Sequence, residues 1–316
     1  MIDILMACYN NEKYVAEQIE SILQQTNKDW RLTIQDDCST DGTYAVLKKY
    51  QELYQDKIIL KRNLQNSGGA KNNFFSMMLY AKESYVMFSD GDDFWLPEKI
   101  QKTFDKMKTA EIKYGADTPV LVHTDLKIAD KDLNIVAKSM FDRQKIDPDR
   151  DGLNQLLVQN IVTGCTCMMN QNLMTIIINS IVGKSQEEKA PIMMHDWWIA
   201  LAAATFGRIE CLKETTMLYR QHGNNSVGAK DAKSIKYILE QIKNGKHIKS
   251  VLGKTYLQAE AFDDCFKDAL PNEAKHILAN YQAVSTSDKA KKIVLIIKYG
   301  FLKNGVLRAI GQLLHS

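Results

Sequence analysis

The sequence predicts an α/β fold: a mostly parallel central sheet flanked by helices, followed by a helical C-terminal extension. Short apolar runs alternate with longer amphipathic stretches through the first half, and a Lys-rich helical pattern takes over from about Lys230. The 316 residues, 45% of them hydrophobic, suffice for one large domain with an appendage and place the chain outside the disordered class. These observations divide the chain at 229/230, into residues 1–229 and a basic helical region at 230–316.

In chain order, candidate strands are Ile2–Ala7, Arg31–Gln35, Ile58–Lys61, Tyr85–Ser89 and Val120–Thr124. Between them lie the helix-like stretches Glu12–Gln25, Thr43–Tyr54, Asn73–Lys82 and Glu98–Thr109. Strand then helix, repeated, implies parallel strands covered on both faces. The second half is less regular. Leu126–Lys138 reads as a hairpin around Asp130-Lys131-Asp132, Ile161–Met169 as a strand and Asp196–Phe206 as a helix, with further strands at Arg208–Leu212 and Thr216–Arg220. In sheets of this kind ligands bind beyond the carboxyl ends of the strands, where the polar clusters of this sequence lie.

Lys plus Arg is 41 and Asp plus Glu is 38, a net charge of +3, which argues against a dedicated nucleic-acid binder. None of the six cysteines forms a CxxC pair, so buried free thiols in a reducing cytoplasm are expected. The first residues show no basic leader, and the aliphatic run Ile293 to Ile297 ends at Lys298, too short to span a bilayer.

Three clusters carry chemistry. Ser89-Asp90-Gly91-Asp92-Asp93-Phe94-Trp95 puts three carboxylates within four positions after an apolar strand. Crowded like charges cost free energy unless a cation compensates, and hard oxygen ligands suit Mn²⁺ or Mg²⁺ bridging phosphates. Asp93 alone is read as a cap on the helix after Pro97. In Asp36-Asp37-Cys38-Ser39-Thr40-Asp41, Ser39 or Asp41 suits a helix N-cap, whereas Asp37 could accept hydrogen bonds from a pyrimidine imide or a ribose hydroxyl. Asn66-Ser67-Gly68-Gly69-Ala70-Lys71 follows the third strand; its glycine pair permits close backbone approach, and Lys71 could meet base or phosphate.

Taken with Ala7-Cys8-Tyr9-Asn10-Asn11, these motifs resemble, in order and spacing, the GT-A-fold glycosyltransferases of family two. The resemblance implies that Tyr9 stacks on the pyrimidine and Ala7 touches it through backbone. Asp37 and Lys71 would contact the base, Asn66 and Gly91 would line the donor site, Asp90 would reach the ribose, and Asp92 would bind the metal. Met194-His195-Asp196-Trp197-Trp198 resembles the late acidic motif that supplies the general base, here Asp196; His195 is expected to be packed or at the surface. Tyr219-Arg220-Gln221-His222-Gly223-Asn224-Asn225-Ser226 resembles a segment whose histidine completes the metal site, here His222, with Arg220 on phosphate or an acid. Asn160 to Thr166 resembles the acceptor-side segment, with Gly164 in it, and Trp197 and Trp198 could offer aromatic faces to an acceptor sugar, with core packing as the default for both.

The fullest resemblance, over about Met1 to Ala229, is to bacterial rhamnosyltransferases of polysaccharide assembly, which implies a dTDP-rhamnose donor, a lipid-linked saccharide acceptor and inversion at the anomeric carbon. Gly91 departs from the Gln expected between the two acids and keeps a UDP-hexose donor as the alternative. A nucleotidyltransferase would need a glycine-rich basic loop after the first strand, which Ala7–Glu12 lacks; a non-catalytic glycan-binding module would not need Asp196.

From Lys289 to Arg308 there are six basic residues and no acid, with Ile293, Ile296, Ile297, Phe301 and Leu302 at helical spacing. Such a helix lies on an anionic membrane surface, at the inner face of the cell membrane, or packs on the catalytic domain or on a second subunit in a homodimer.

Overall fold

The computed structural model describes residues 1–223 and 245–315. Four strands, β1 (Ile2–Cys8), β2 (Trp30–Asp36), β3 (Ile58–Arg62) and β4 (Tyr85–Asp90), pair in parallel in the order β3-β2-β1-β4. Helices α1 (Val15–Leu23), α2 (Thr43–Leu53) and α3 (Ala70–Met78) connect them. This is the β-α alternation that the sequence predicts.

Past β4 the sheet becomes mixed. The short β8 (Met168–Asn170) pairs antiparallel with β4, and β6 (Val120–Ala129) pairs antiparallel with β8. Two reversals restore the direction, so β6 runs with β4, and β9 (Arg208–Arg220) runs parallel to β6. The two-residue β5 (Phe94–Trp95) closes the edge against β9, and β7 (Ile135–Ala137) folds back on β6. The carboxyl ends of β1, β2, β3, β4 and β9 therefore open on one edge, the place the parallel-sheet rule assigns to ligands.

Alternate strand residues feed two cores, one on each face. Ile4, Met6, Ile34 and Met87 face one layer with Ile19, Ile22 and Ile100, the last from α4 (Lys99–Tyr114). Leu5, Val86, Phe88 and Leu121 face the other, with α7 (Gln171–Ile181) and α9 (His195–Phe206). That second core continues into the C-terminal helices α10 (Gly245–Phe266), α11 (Asn272–Thr286), α12 (Lys289–Tyr299) and α13 (Val306–His315) through Leu252, Phe262, Leu278, Tyr281, Ile296 and Phe301. The division at 229/230 lies outside the described residues.

Several expectations are corrected. Ile161–Met169 is not a strand: it is extended loop and a 3₁₀ turn at Gly164–Thr166, with β8 starting only at Met168. Arg208–Leu212 and Thr216–Arg220 are one continuous strand whose register against β6 shifts around Asp125, which absorbs the charged Lys213 and Glu214 without ending the ladder. The hairpin at Leu126–Lys138 is the distal end of one long β6 folding onto β7. Of the stripe Ile293, Ile296, Ile297, Phe301 and Leu302, Ile296 and Phe301 are fully buried, Leu302 packs against the core, Ile293 is half-buried and Ile297 is 60% exposed. Among the described residues no helix is long and apolar enough to cross a membrane.

Candidate active site

The edge begins with two loops stitched together. Asn10 and Cys38 both take left-handed backbone, φ 54° and 61°, as β1 and β2 end. Asn10 N–H donates to Ser39 Oγ, Asn11 N–H to Thr43 Oγ1, and Thr40 N–H to Asn10 Oδ1, at 2.7–2.9 Å. Ser39 is thereby no N-cap; Gly42 holds that position on α2 without a side-chain bond, and Asp41 accepts from Thr43 N–H and Glu12 N–H. This latch holds Tyr9 at the mouth of the edge, just beyond Ala7 and Cys8 and 51% exposed, with its ring open to a planar ligand.

Asp37 lies behind it, buried, with its N–H on Cys8 O at 2.8 Å. Its carboxylate accepts from Asn63 Nδ2 at 2.6 Å, Ser67 N–H at 2.7 Å and Ser67 Oγ at 2.8 Å. Asn66 Nδ2 donates to Asp37 O at 2.9 Å, so Asp37 organises the loop after β3. That loop needs its glycines: Gly68 and Gly69 have φ 86° and 129°. Lys71 does not point to this edge. Its ammonium donates to the carbonyls of Lys189 and Ile192 at 2.9 and 2.6 Å, and burial followed by the nearby Lys189 charge lowers its pKa. A cavity of about 510 Å³ beside the loop is lined by Asn66, Ser67, Phe75 and Lys189 and by none of Asp90, Asp92 and Asp196.

The acidic cluster sits where β4 ends. Burial first, then the charges of Asp92 and Asp196, push Asp90 up to about 7. The Asp92 carboxylate is partly open and lies 2.9 Å from His222 Nε2, whose ring packs on Tyr14 at 4.8 Å. Gly91 lies tight between them: a Cβ there would come within 2.9 Å of Asn11 Oδ1 and 3.0 Å of Cys8 Sγ. Asp93 does not cap a helix. β5 intervenes, α4 starts at Lys99 with Glu98 at its N-cap, and Asp93 is fully buried, accepting from Arg220 N–H at 3.1 Å. Arg220 is structural, held by Asp92 O, Lys131 O and Glu17 and stacked 4.6 Å from Tyr14. Asn224 to Ser226 lie outside the described residues.

Among the described residues, two groupings offer cation ligands. Carboxylate oxygens of Asp90 and Asp93 and the Sγ of Cys165 lie within 4.8 Å of one another. Burial, then Asp93 and Asp90, raise the Cys165 thiol well above its ordinary value, and both Cys165 and Asp93 are closed off from solvent. Asp92 with His222, partly open to solvent, is the pair whose oxygen and nitrogen donors and crowded negative surroundings fit a phosphate-bridging divalent ion.

Asp196 occupies the first turn of α9. Its Oδ2 accepts from Gly164 N–H at 3.0 Å and its Oδ1 from Trp197 N–H at 2.7 Å. Burial raises its pKa to about 6, against the opposing pull of those amides and of the Asn160 side chain. The 3₁₀ turn exists to deliver the Gly164 amide, and the fit is tight, since a Cβ on Gly164 would come 2.7 Å from His195 Nε2. His195 is packed, as expected, at 4.3 Å from Phe74 and 5.3 Å from Phe88, and burial keeps it neutral.

The tryptophans are no acceptor platform. Trp197 Nε1 donates to Leu156 O at 2.6 Å, and Trp198, 1% exposed, donates to Ser180 Oγ and packs on Phe262 and Phe266 of α10. Helix α9 is apolar on all sides, so burying both indoles satisfies it better than exposing either. The structure thus gathers Ala7, Tyr9, Asp37, Asn66, Asp90, Gly91, Asp92 and His222 along the carboxyl edge. Asp196 and Gly164 flank Asp90, while Lys71, Trp197 and Trp198 turn elsewhere. Sequence reasoning missed Tyr14, Cys165 and Asn160 as neighbours; Tyr14 sits where the reading had already begun a helix, and Asn160 opens a segment already singled out.

A family model described as glycosyl transferase family 2 matches residues 3–171. A dTDP-rhamnosyl transferase of Shigella flexneri is 28% identical over 236 residues, covering 73% of this chain and 76% of its own. A UDP-Glc:alpha-D-GlcNAc-diphosphoundecaprenol beta-1,3-glucosyltransferase of Escherichia coli is 32% identical over 117 residues, 36% of this chain and 44% of its own. Among solved structures, residues 1–349 of S. aureus TarS in complex with UDP-GlcNAc superpose with a TM-score of 0.55 at 16% identity, over 99% of this chain and 88% of that one. That likeness shows the fold, the GT-A arrangement of a mixed sheet flanked by helices.

Proposed function

The chain belongs to glycosyl transferase family 2, and from that premise we propose that it is an inverting glycosyltransferase of cell-surface polysaccharide assembly that moves L-rhamnose from dTDP-rhamnose to a lipid-linked saccharide. The observation that carries the mechanism is the Asp196 carboxylate, clamped by two backbone amides next to Asp90 and brought by burial to about 6. A base of that strength is ionised at neutral pH yet basic enough to take a proton as it develops. The acceptor hydroxyl oxygen forms the new bond to the anomeric carbon while the bond from that carbon to the diphosphate oxygen breaks. Asp196 receives the hydroxyl proton, and the nucleoside diphosphate leaves with the electron pair.

Tyr9 presents a ring for the pyrimidine, Asp37 an acceptor beside it, and Asp90 a group for the ribose. Asp92 and His222 would hold Mn²⁺ or Mg²⁺, which when bound neutralises charge on the departing diphosphate. The donor reading leans on the Shigella relative, which covers most of both chains. The E. coli relative and the UDP-GlcNAc complex favour a UDP-hexose instead, as does Gly91, where the rhamnosyltransferase pattern has Gln.

A panel of dTDP-rhamnose, UDP-glucose and UDP-N-acetylglucosamine, with and without Mn²⁺, decides between these readings when nucleoside diphosphate release is followed with a lipid-linked acceptor. Turnover of dTDP-rhamnose with an inverted anomeric centre by NMR is the expected result. Release of pyrophosphate would transfer the chain to nucleotidyl chemistry, and turnover of UDP-glucose alone would replace the donor.

A further inference from the structure

We propose that the antiparallel pair α12–α13 is a docking surface for an anionic lipid bilayer. Helix α12 packs on α11 and helix α13 on α10, and the two are tied at their ends: Lys289 Nζ in the first turn of α12 donates to Leu314 O in the last turn of α13, and Gln312 Nε2 donates to Phe301 O in the connection. The inward residues of the pair, Ile296 and Phe301, join the core. Its outward residues are apolar too. Val294 and Ile297 of α12 and Val306, Leu307, Ile310 and Leu314 of α13 are all exposed, Val306 to 75%. In α13 the positions 307, 310 and 314 recur at helical spacing, so one whole face of that helix is an unpartnered apolar stripe.

The sequence places the contact on Ile293, Ile296, Ile297, Phe301 and Leu302. The structure buries Ile296 and Phe301, leaves Ile297 exposed and adds the outward residues of α13. The charge around it selects the occupant. Lys289, Lys291 and Lys298 are exposed on the same helix as Val294 and Ile297, and no acid occurs from Lys289 onward. A two-fold contact with a second copy would set this strip of one sign against itself. A bilayer with anionic headgroups meets both requirements at once, apolar depth for the stripe and negative charge for the lysines.

The surface is tied to the acceptor flank. Tyr299 O and Leu302 O accept from Asn154 and Arg150, and Asn304 N–H donates to Gln159 Oε1, next to Asn160 and the turn that supplies Gly164 to Asp196. Docking there would bring the acceptor side of the fold towards lipid, where a lipid-linked saccharide is carried.

The test uses the full chain, without donor or acceptor, in co-sedimentation with vesicles of phosphatidylcholine alone and of phosphatidylcholine doped with phosphatidylglycerol. Sedimentation with the anionic vesicles only is the expected result, with Leu307→Ser and Ile310→Ser each lowering the partition coefficient roughly ten-fold. Lys291→Glu with Lys298→Glu should lower it by a factor of about five per charge. All four positions are solvent-exposed, so circular dichroism and melting temperature should stay at the parent values. Absence of sedimentation, equal sedimentation with both lipids, or a dimer by sedimentation velocity that Ile310→Ser converts to monomer would each overturn the proposal. Because no sugar nucleotide is present, failure here leaves the glycosyl-transfer reading untouched.

Discussion

The two flanks of the carboxyl edge are built by opposite means. On the flank proposed for the nucleotide, side chains from separate loops hold one another: Ser39 holds Asn10, Thr43 holds Asn11, and Asn63 and Ser67 hold Asp37. Its working surface is open, with the Tyr9 ring exposed. On the flank proposed for the acceptor, Asp196 is held by backbone amides and backed by a solid aromatic core in which Trp198, Phe262 and Phe266 meet. A polar latch can be loosened with little loss of fold and acts on affinity. A carboxylate set into a core has a raised pKa and, in the role proposed for Asp196, acts on rate, but it depends on packing far from the edge. Substitutions on the two flanks should therefore fail in different ways.

The sharpest contrast is Asp196→Asn. The amide keeps the shape but cannot accept the proton, and its NH2 leaves one of the two backbone donors unpaired, so kcat should fall by about 10²–10⁴ and stability by about 1–3 kcal/mol while the donor dissociation constant stays near that of the parent. Turnover within a few-fold of normal would remove Asp196 as base. The pH profile sharpens the same point. Because Asp196 is raised to about 6 and must be ionised to act, kcat/KM should rise with pH and level off above that value. An Asp196→Asn enzyme with the same rising limb would assign the ionisation to another group.

Trp198→Ala probes the core behind that flank. Removing a fully buried indole should destabilise the fold by about 3–5 kcal/mol in urea unfolding, and the loss should reach α10 through Phe262 and Phe266. A loss below 1 kcal/mol would show that the C-terminal helices do not depend on this contact. On the opposite flank, Asp92→Ala and His222→Ala should weaken Mn²⁺-dependent binding of dTDP by on the order of 10–100-fold in calorimetry, with the melting temperature of the ligand-free protein little changed. Unchanged affinity in both variants would detach the pair from the metal.

The nucleotide flank was also the more legible in sequence. The first four strands and their helices follow alternating patterns whose periodicity states the burial directly, and the strand-end rule turned that pattern into candidate residues. Where it slipped, polar side chains had taken a local job: α1 begins at Val15 rather than Glu12 because Asn11 and Glu12 are bonded to the loop before α2. The acceptor flank hid its logic. Ile161–Met169 is apolar enough for a strand, yet the chain spends that stretch bringing one amide to Asp196, a need visible only in three dimensions. Lys99 would be put at a helix surface by any periodicity argument, but it is fully buried, 4.9 Å over the Trp95 ring, and burial lowers it to about 8. The tryptophan pair misled for a related reason, since an indole signals burial and sugar stacking with the same residue type.

The smallest effect tests the nucleotide flank most finely. Both oxygens of Asp37 are already engaged, one by Asn63 and the Ser67 amide, the other by the Ser67 hydroxyl. A pyrimidine imide approaching Asp37 must share an oxygen with Ser67, and the hydroxyl is the cheapest bond to displace, because its amide neighbour still anchors the loop. Ser67→Ala removes that competitor. A neutral hydrogen bond is worth about 0.5–1.5 kcal/mol net, so the variant should bind dTDP and UDP several-fold more tightly, with kcat unchanged. Binding that weakens instead would mean that the hydroxyl holds the loop in its working position, and that Asp37 meets the loop rather than the base.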